Sequence, residues 1–174
     1  FDPHIWTSPV NAMRMVRAIA DSLCAADEAN AAFYRANEEQ YLAELKQLDN
    51  DFRALAKNAV RKDIIFGGRY PFHYFEKEYG LNHIAAFDSC SAETEPSAAA
   101  IASIINKVKQ ENIPVVYYEE LTEPKVARSI CGETGAKMLL LHSCHNVSKT
   151  EYEQGATYLS LMRQNLENLK EGLL

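Results

Sequence analysis

Lys137-Met138-Leu139-Leu140-Leu141-His142-Ser143-Cys144-His145 is the stretch on which the fold turns. Its first five residues read as a buried strand, and three soft or borderline metal ligands follow within the next four positions. In open α/β sheets the carboxyl ends of parallel strands form the crevice where ligands bind, so chemistry at His142 to His145 is well placed. Outward from this run, the chain from Asp63 onward alternates apolar segments with helical patterns, the signature of a parallel sheet with crossover helices. The expected strands are Ile64 to Phe66, His83 to Phe87, Pro114 to Tyr118 and Lys137 to Leu141. The expected helices are Phe72 to Tyr79, Ser97 to Glu111, Glu123 to Thr134 and Ser148 to Gly172. Gly80, Asn112 and Gly135 fall at helix stops; Ser148 with Glu151 fits a capping box, and Thr122 could cap the helix at Pro124.

Upstream, Val10, Met13, Val16, Ile19, Ala20 and Leu23 mark an amphipathic helix over 9–24. Asp27 is the expected cap of a second helix, from about Glu28 to Asn58, whose stripe runs through Tyr34, Tyr41, Leu45, Leu48, Phe52 and Leu55 without Gly or Pro. At 1.5 Å per residue it would be about 45 Å long, longer than a small domain is wide. A coiled-coil partner is the alternative, but there is only one such segment and an α/β pattern follows it. The fold class is therefore α/β: a four-stranded parallel sheet with flanking helices, preceded by a long backbone helix.

Composition narrows the function. The 174 residues are 47% hydrophobic and carry a formal charge of −6, with Lys and Arg scattered along the chain. That balance argues against nucleic acid or an anionic membrane surface as partner. No apolar run approaches the roughly 18 residues of a membrane span. The chain opens on Phe1-Asp2-Pro3 rather than on Met, as expected of a piece of a longer protein. Four irregularly spaced cysteines in a chain of this size require no disulfide framework, although one bridge is compatible with them.

The residues after each strand are the candidate chemistry: Arg69; Cys90 with Glu93 and Glu95; Glu119-Glu120; and His142 to His145. Zinc takes Cys, His and carboxylate ligands in tetrahedral array, and these loops bring such groups from separate rigid elements. Each has a bland reading. His142 could bond a backbone group at the strand end, Cys144 could be a small buried hydrophobe, and a Cys90–Cys144 disulfide would explain both thiols. Glu93 and Glu95 could serve the following helix dipole. His145 points away from His142 if the segment stays extended, and His73 and His83 read as structural. At the amino end, Asp2-Pro3-His4-Ile5-Trp6 could project His4 over a packed Trp6, or be a polar terminus with one buried ring.

Asp2-Pro3-His4-Ile5-Trp6 with Ser8-Pro9, the long helix, Phe72-x-Tyr74-Phe75 with Tyr79-Gly80-Leu81, Glu93-x-Glu95-Pro96-Ser97, Glu133-Thr134-Gly135-Ala136 and Tyr158-Leu159 with Met162-x-x-Asn165 together resemble a known family. It is that of the metal-binding lipoproteins of zinc and manganese ABC importers, the cluster A-I solute-binding proteins, zinc type. The resemblance implies two β/α lobes joined by a rigid helix, with metal bound between them and passed to a membrane permease. It makes residues 1–26 the remnant of an N-terminal lobe, 27–59 the linker helix and 60–174 the C-terminal lobe. It implies a monomer outside the cytoplasm, a membrane-anchored lipoprotein or a periplasmic protein.

By the same resemblance His4 matches a metal-binding histidine, and His142 falls where the family places its last ligand, usually a carboxylate. Arg69 departs from the pattern, since the family has a histidine or glutamate ligand there and a guanidinium donates only. The expectation is that Cys90 and Cys144, with Glu93, replace the lost ligand while Arg69 orients one of these groups without touching the metal. Thiolate and imidazole favour zinc over manganese. The rival is a cysteine-dependent enzyme in which Cys144 or Cys90 is activated by His142.

Overall fold

The computed structural model describes residues 2–87 and 96–174. Ser8 opens helix α1 (Pro9–Ala26): its hydroxyl accepts the Asn11 N–H, and Pro9 sits in the first turn, where a missing N–H forfeits no intrahelical bond. A short 3-10 turn, Glu28–Asn30, leads into α2 (Ala31–Asn58). Asp27, the expected cap, instead takes hydrogen bonds from the Asn30 side chain and the Tyr34 hydroxyl. Only the later half of the α2 stripe is covered. Leu45, Leu48, Phe52 and Leu55 are buried, whereas Phe33 stays 63% exposed.

Asp49 lies within the buried stripe. Lys46 and Arg53 pair with its carboxylate at 2.7 and 3.0 Å, and the Tyr79 hydroxyl donates to it at 3.2 Å. Burial pushes this carboxyl up, but the bonds from Lys46 and Arg53 outweigh burial and hold it below the usual carboxylate range.

The sheet comprises β1 (Asp63–Phe66), β2 (Asn82–Ala85), β3 (Val115–Tyr118) and β4 (Lys137–Leu140), all parallel, in the order β2-β1-β3-β4. Helices α3 (His73–Tyr79), α4 (Ala98–Gln110) and α5 (Lys125–Thr134) make the crossovers. Ile64, Phe66, Val115 and Tyr117 pack into one layer with α2 and α3, and Ile65 and Val116 into the other with Ile104, Val108 and Ile130. Alternate residues of each strand thus enter opposite apolar layers, which is why the strands read as unbroken apolar runs.

The expected final helix is two helices, α6 (Lys149–Glu153) and α7 (Tyr158–Leu173). The break falls at Gly155, whose φ of +73° lies in the left-handed region that glycine enters freely. Two successive capping boxes, Ser148 with Glu151 and Thr157 with Ser160, start the pieces separately. Thr122 does not cap α5; its hydroxyl donates to the Glu119 carbonyl.

Candidate metal centre

The carboxyl ends of β1, β3 and β4 meet the amino-terminal segment at a cleft of about 290 Å³ lined by His4, Arg69, Glu119, Glu120, Ser143 and His145, among others. His4 is held by its own local turn. Asp2 Oδ1 accepts both the His4 backbone N–H, at 2.9 Å, and Nδ1, at 2.7 Å. Because a carboxylate only accepts, Nδ1 carries the proton and Nε2 keeps its lone pair, the arrangement that orients a metal-binding imidazole. The segment is then fastened to the sheet domain: Trp6 Nε1–H donates to the Ser143 carbonyl at 2.9 Å, and the Tyr158 and Tyr74 hydroxyls donate to the Trp6 and Asp2 carbonyls.

His145 faces the same cleft. Its ring centroid lies 5.9 Å from that of His4 and 5.8 Å from that of Trp6. With Zn–N bonds of about 2 Å, an ion sits about 3 Å from the centroid of each ligating ring and tetrahedral ligation sets two such centroids about 5 Å apart, so His4 and His145, at 5.9 Å, would close by about 1 Å to share an ion. The backbone at Cys144 makes this possible. Its φ of +59° is left-handed, so the chain does not stay extended through 142–145 and the strand alternation does not carry over to His145.

His142 lies beneath the cleft at 2% exposure and does not line it. Asn165 clamps its backbone from both sides, accepting the His142 N–H and donating to the His142 carbonyl, each at 2.7 Å. The ring Nδ1 accepts the Cys144 N–H at 2.9 Å, which places the proton on Nε2, 3.5 Å from a Glu151 carboxylate oxygen. Nδ1 is thus used within the loop, whereas Nε2 is buried and has no hydrogen-bond partner among the described residues. Cys144 is a free thiol packed against the core, and burial, with Glu120 and Glu151 nearby, pushes it up to about 12. A thiol held protonated is a poor nucleophile and its neighbouring imidazole is already engaged, which removes the physical basis for a Cys144 enzyme.

The two adjacent carboxylates do different work. Glu120 is spent on the loop, taking the backbone N–H and the hydroxyl of Ser143. Glu119 lies over Gly68, where a Cβ would fall 1.7 Å from its Oε2, so only glycine admits the carboxylate. Burial pushes the Glu119 carboxyl up, although backbone N–H groups of Glu119 and Arg69 donate to it, and Oε2 is buried with no hydrogen-bond partner among the described residues. Arg69 lines the cleft with its guanidinium 5.2 Å from the Phe87 ring centroid. Cys90 and Glu93 lie outside the described residues. Sequence reasoning counted Glu119 and His145 among the strand-end candidates without giving either a ligand role, and it gave Asp2 none; the Asp-x-His spacing and the paired glycines before Arg69 were the available signals.

Residues 1–172 match the family profile described as "ZnuA: Zinc-uptake complex component A periplasmic". The chain belongs to the ZnuA family. The high-affinity zinc uptake system protein ZnuA of Bacillus subtilis (strain 168) is 38% identical over 173 residues, which is 99% of this chain and 54% of that protein. A crystal structure of the metal-dependent lipoprotein YcdH from Bacillus subtilis superposes with a TM-score of 0.85 at 39% identity, covering 99% of this chain and 65% of the other. One of the Zn(II)-bound ZnuA-like domain of Streptococcus pneumoniae AdcA gives 0.82 at 31% identity, covering 99% and 64%. The expected parallel-sheet architecture is that of these ZnuA-family structures. The chain spans about half the length of the Bacillus subtilis ZnuA relative.

Proposed function

We propose that the chain is part of the extracytoplasmic solute-binding component of an ABC importer, and that its cleft forms one side of a site that holds zinc as cargo for a membrane permease. The observation that carries this reading is the His4 imidazole, locked by Asp2 so that Nε2 stays a free ligand, with the His145 ring facing the same cleft 5.9 Å away. Membership of the ZnuA family supports it. His4 keeps its expected role as a ligand, with His145 and Glu119 as the partners the cleft offers. His142 and Cys144 position the loop from beneath, Arg69 steadies Glu119, and Cys90 and Glu93 stay as further donors from the chain after β2. Two imidazoles favour zinc over manganese, whose preference leans to oxygen ligands.

In this reading residues 1–26 belong to an N-terminal lobe, 27–59 are the linker helix and 60–174 are the C-terminal lobe. The apolar groove between α1 and α2, lined by Val16, Ile19, Leu23, Tyr34 and Tyr41, supports the division, because an apolar groove of this kind is a surface that a neighbouring lobe covers. Membership of the ZnuA family supports assigning the permease to another chain and this one to the outside of the cytoplasm, as a lipoprotein or periplasmic monomer; no helix among the described residues is long and apolar enough to cross a membrane. Zinc titration by calorimetry, on this chain and on a longer one that includes the remaining length of its relatives, tests the proposal. His4→Ala and His145→Ala are expected to abolish high-affinity uptake of zinc while His142→Ala retains it. Unchanged affinity in the first two variants would overturn it.

A further inference from the structure

A second group of metal-binding side chains lies away from the cleft. Within the described residues, His73, Glu76 and His83 place one ligand atom each within 4.8 Å of one another. Glu76 stands one turn into α3 from His73, on the same helical face, and its two carboxylate oxygens divide between the rings: Oε1 lies 3.3 Å from His73 Nδ1 and Oε2 lies 2.6 Å from His83 Nδ1. The two imidazoles stand at 77° with centroids 5.1 Å apart. Tyr70 stacks on His83 at 3.9 Å and 4°, which fixes the plane of that ring. His83 comes from β2, the edge strand, whereas the cleft is built at the ends of β1, β3 and β4.

We infer that His73, Glu76 and His83 form a second site for a divalent cation of zinc's class, separate from the cleft and independent of the function proposed for it. A carboxylate with a histidine on either side supplies two nitrogens and an oxygen, the donor set of three-ligand zinc sites that keep water in the fourth position. The ion takes the place of the two N–H protons now directed at Glu76; each neutral ring moves its proton to Nε2, so binding requires no net proton release at a pH where the rings are uncharged. Tetrahedral ligand atoms about 2 Å from zinc lie roughly 3 Å apart, so the 4.8 Å cluster closes by a modest rotation of His73, the most exposed of the three at 43%. A plain ion pair between α3 and β2 is the competing reading, and it predicts no effect of zinc on either ring.

Histidine acylation by diethyl pyrocarbonate, read residue by residue by mass spectrometry with and without zinc chloride, distinguishes them. Stoichiometric zinc in excess magnesium is expected to protect both His73 and His83, and Glu76→Gln is expected to remove that protection while His4 remains protected. Equal reactivity of His73 and His83 with and without zinc, or protection only at millimolar zinc, would overturn the site. Protection of His4 and His145 is scored in the same digest, so failure of the cleft proposal is seen separately. A circular dichroism spectrum of Glu76→Gln matching the parent shows that the variant is folded.

Discussion

His142 and His145 stand three residues apart in one loop and have opposite environments. The first is buried, its backbone clamped by Asn165 and its Nδ1 taken by the Cys144 N–H, with Nε2 enclosed 3.5 Å from Glu151 and without a hydrogen bond among the described residues; the second is exposed beside His4 at the mouth of the cleft. The difference comes from one backbone torsion at Cys144 and from what each ring has left to offer. A histidine enclosed by its own fold, with one ring nitrogen and both backbone groups bonded there, serves the loop first, and one whose ring faces the cleft can bind. Residue type alone does not separate the two.

The largest effect expected from breaking this contrast lies on the buried side. Asn165→Ala leaves the buried His142 N–H without its partner and the His142 carbonyl with only the weak Cys144 thiol donor at 3.7 Å, and with each lost bond worth roughly 1–3 kcal/mol urea denaturation should show a loss of about 3 kcal/mol. A loss below about 1 kcal/mol would mean that the clamp does not hold the loop. On the open side, His145→Ala should weaken zinc binding about 100-fold, about 2.7 kcal/mol, with stability changed by less than about 0.5 kcal/mol. Equal losses of binding from His142→Ala and His145→Ala at unchanged stability would erase the distinction. Asp2→Ala frees the His4 ring and should weaken zinc binding about tenfold, since partners that orient a ligand are commonly worth 10- to 100-fold.

The smallest effect concerns a buried group that does no binding, Asp49. Its carboxyl is held below the usual range when folded, so its contribution is fully present above the ordinary carboxylate value, near pH 4, and is lost as pH falls through the lower folded value. Thermal melts from pH 6 to pH 3 should show a small loss of stability through this group, and Asp49→Asn should flatten that part of the curve. An identical acid limb in the variant would show that Asp49 is not responsible.

The sheet was legible because both of its faces are buried. Ile64 to Phe66 and Val116 to Tyr117 have no polar side to interrupt the apolar run, and each crossover helix, α3 to α5, is followed by a glycine or asparagine with positive φ. The final helix was read as one piece because Gly155 sits inside an otherwise helical pattern, and only the paired capping boxes show the break. Within the site, His4 was legible from its motif. His145 was not, because two-residue alternation was carried past the strand into a left-handed turn at Cys144. Glu119 was obscured by its neighbour, since adjacent carboxylates in sequence do not disclose that one is absorbed by Ser143 while the other lies over Gly68.

Trp6 holds the amino-terminal segment through partners 137 and 152 positions away, at Ser143 and Tyr158. Contacts of such sequence separation close large loops and form only after the intervening elements are in place. A chain that ends before α7 contains every side chain of the cleft yet lacks the Tyr158 hydroxyl that seats Trp6. In the proposed site, then, the capacity to bind depends on a residue outside the cleft, and zinc bound there would make the completed fold harder to undo.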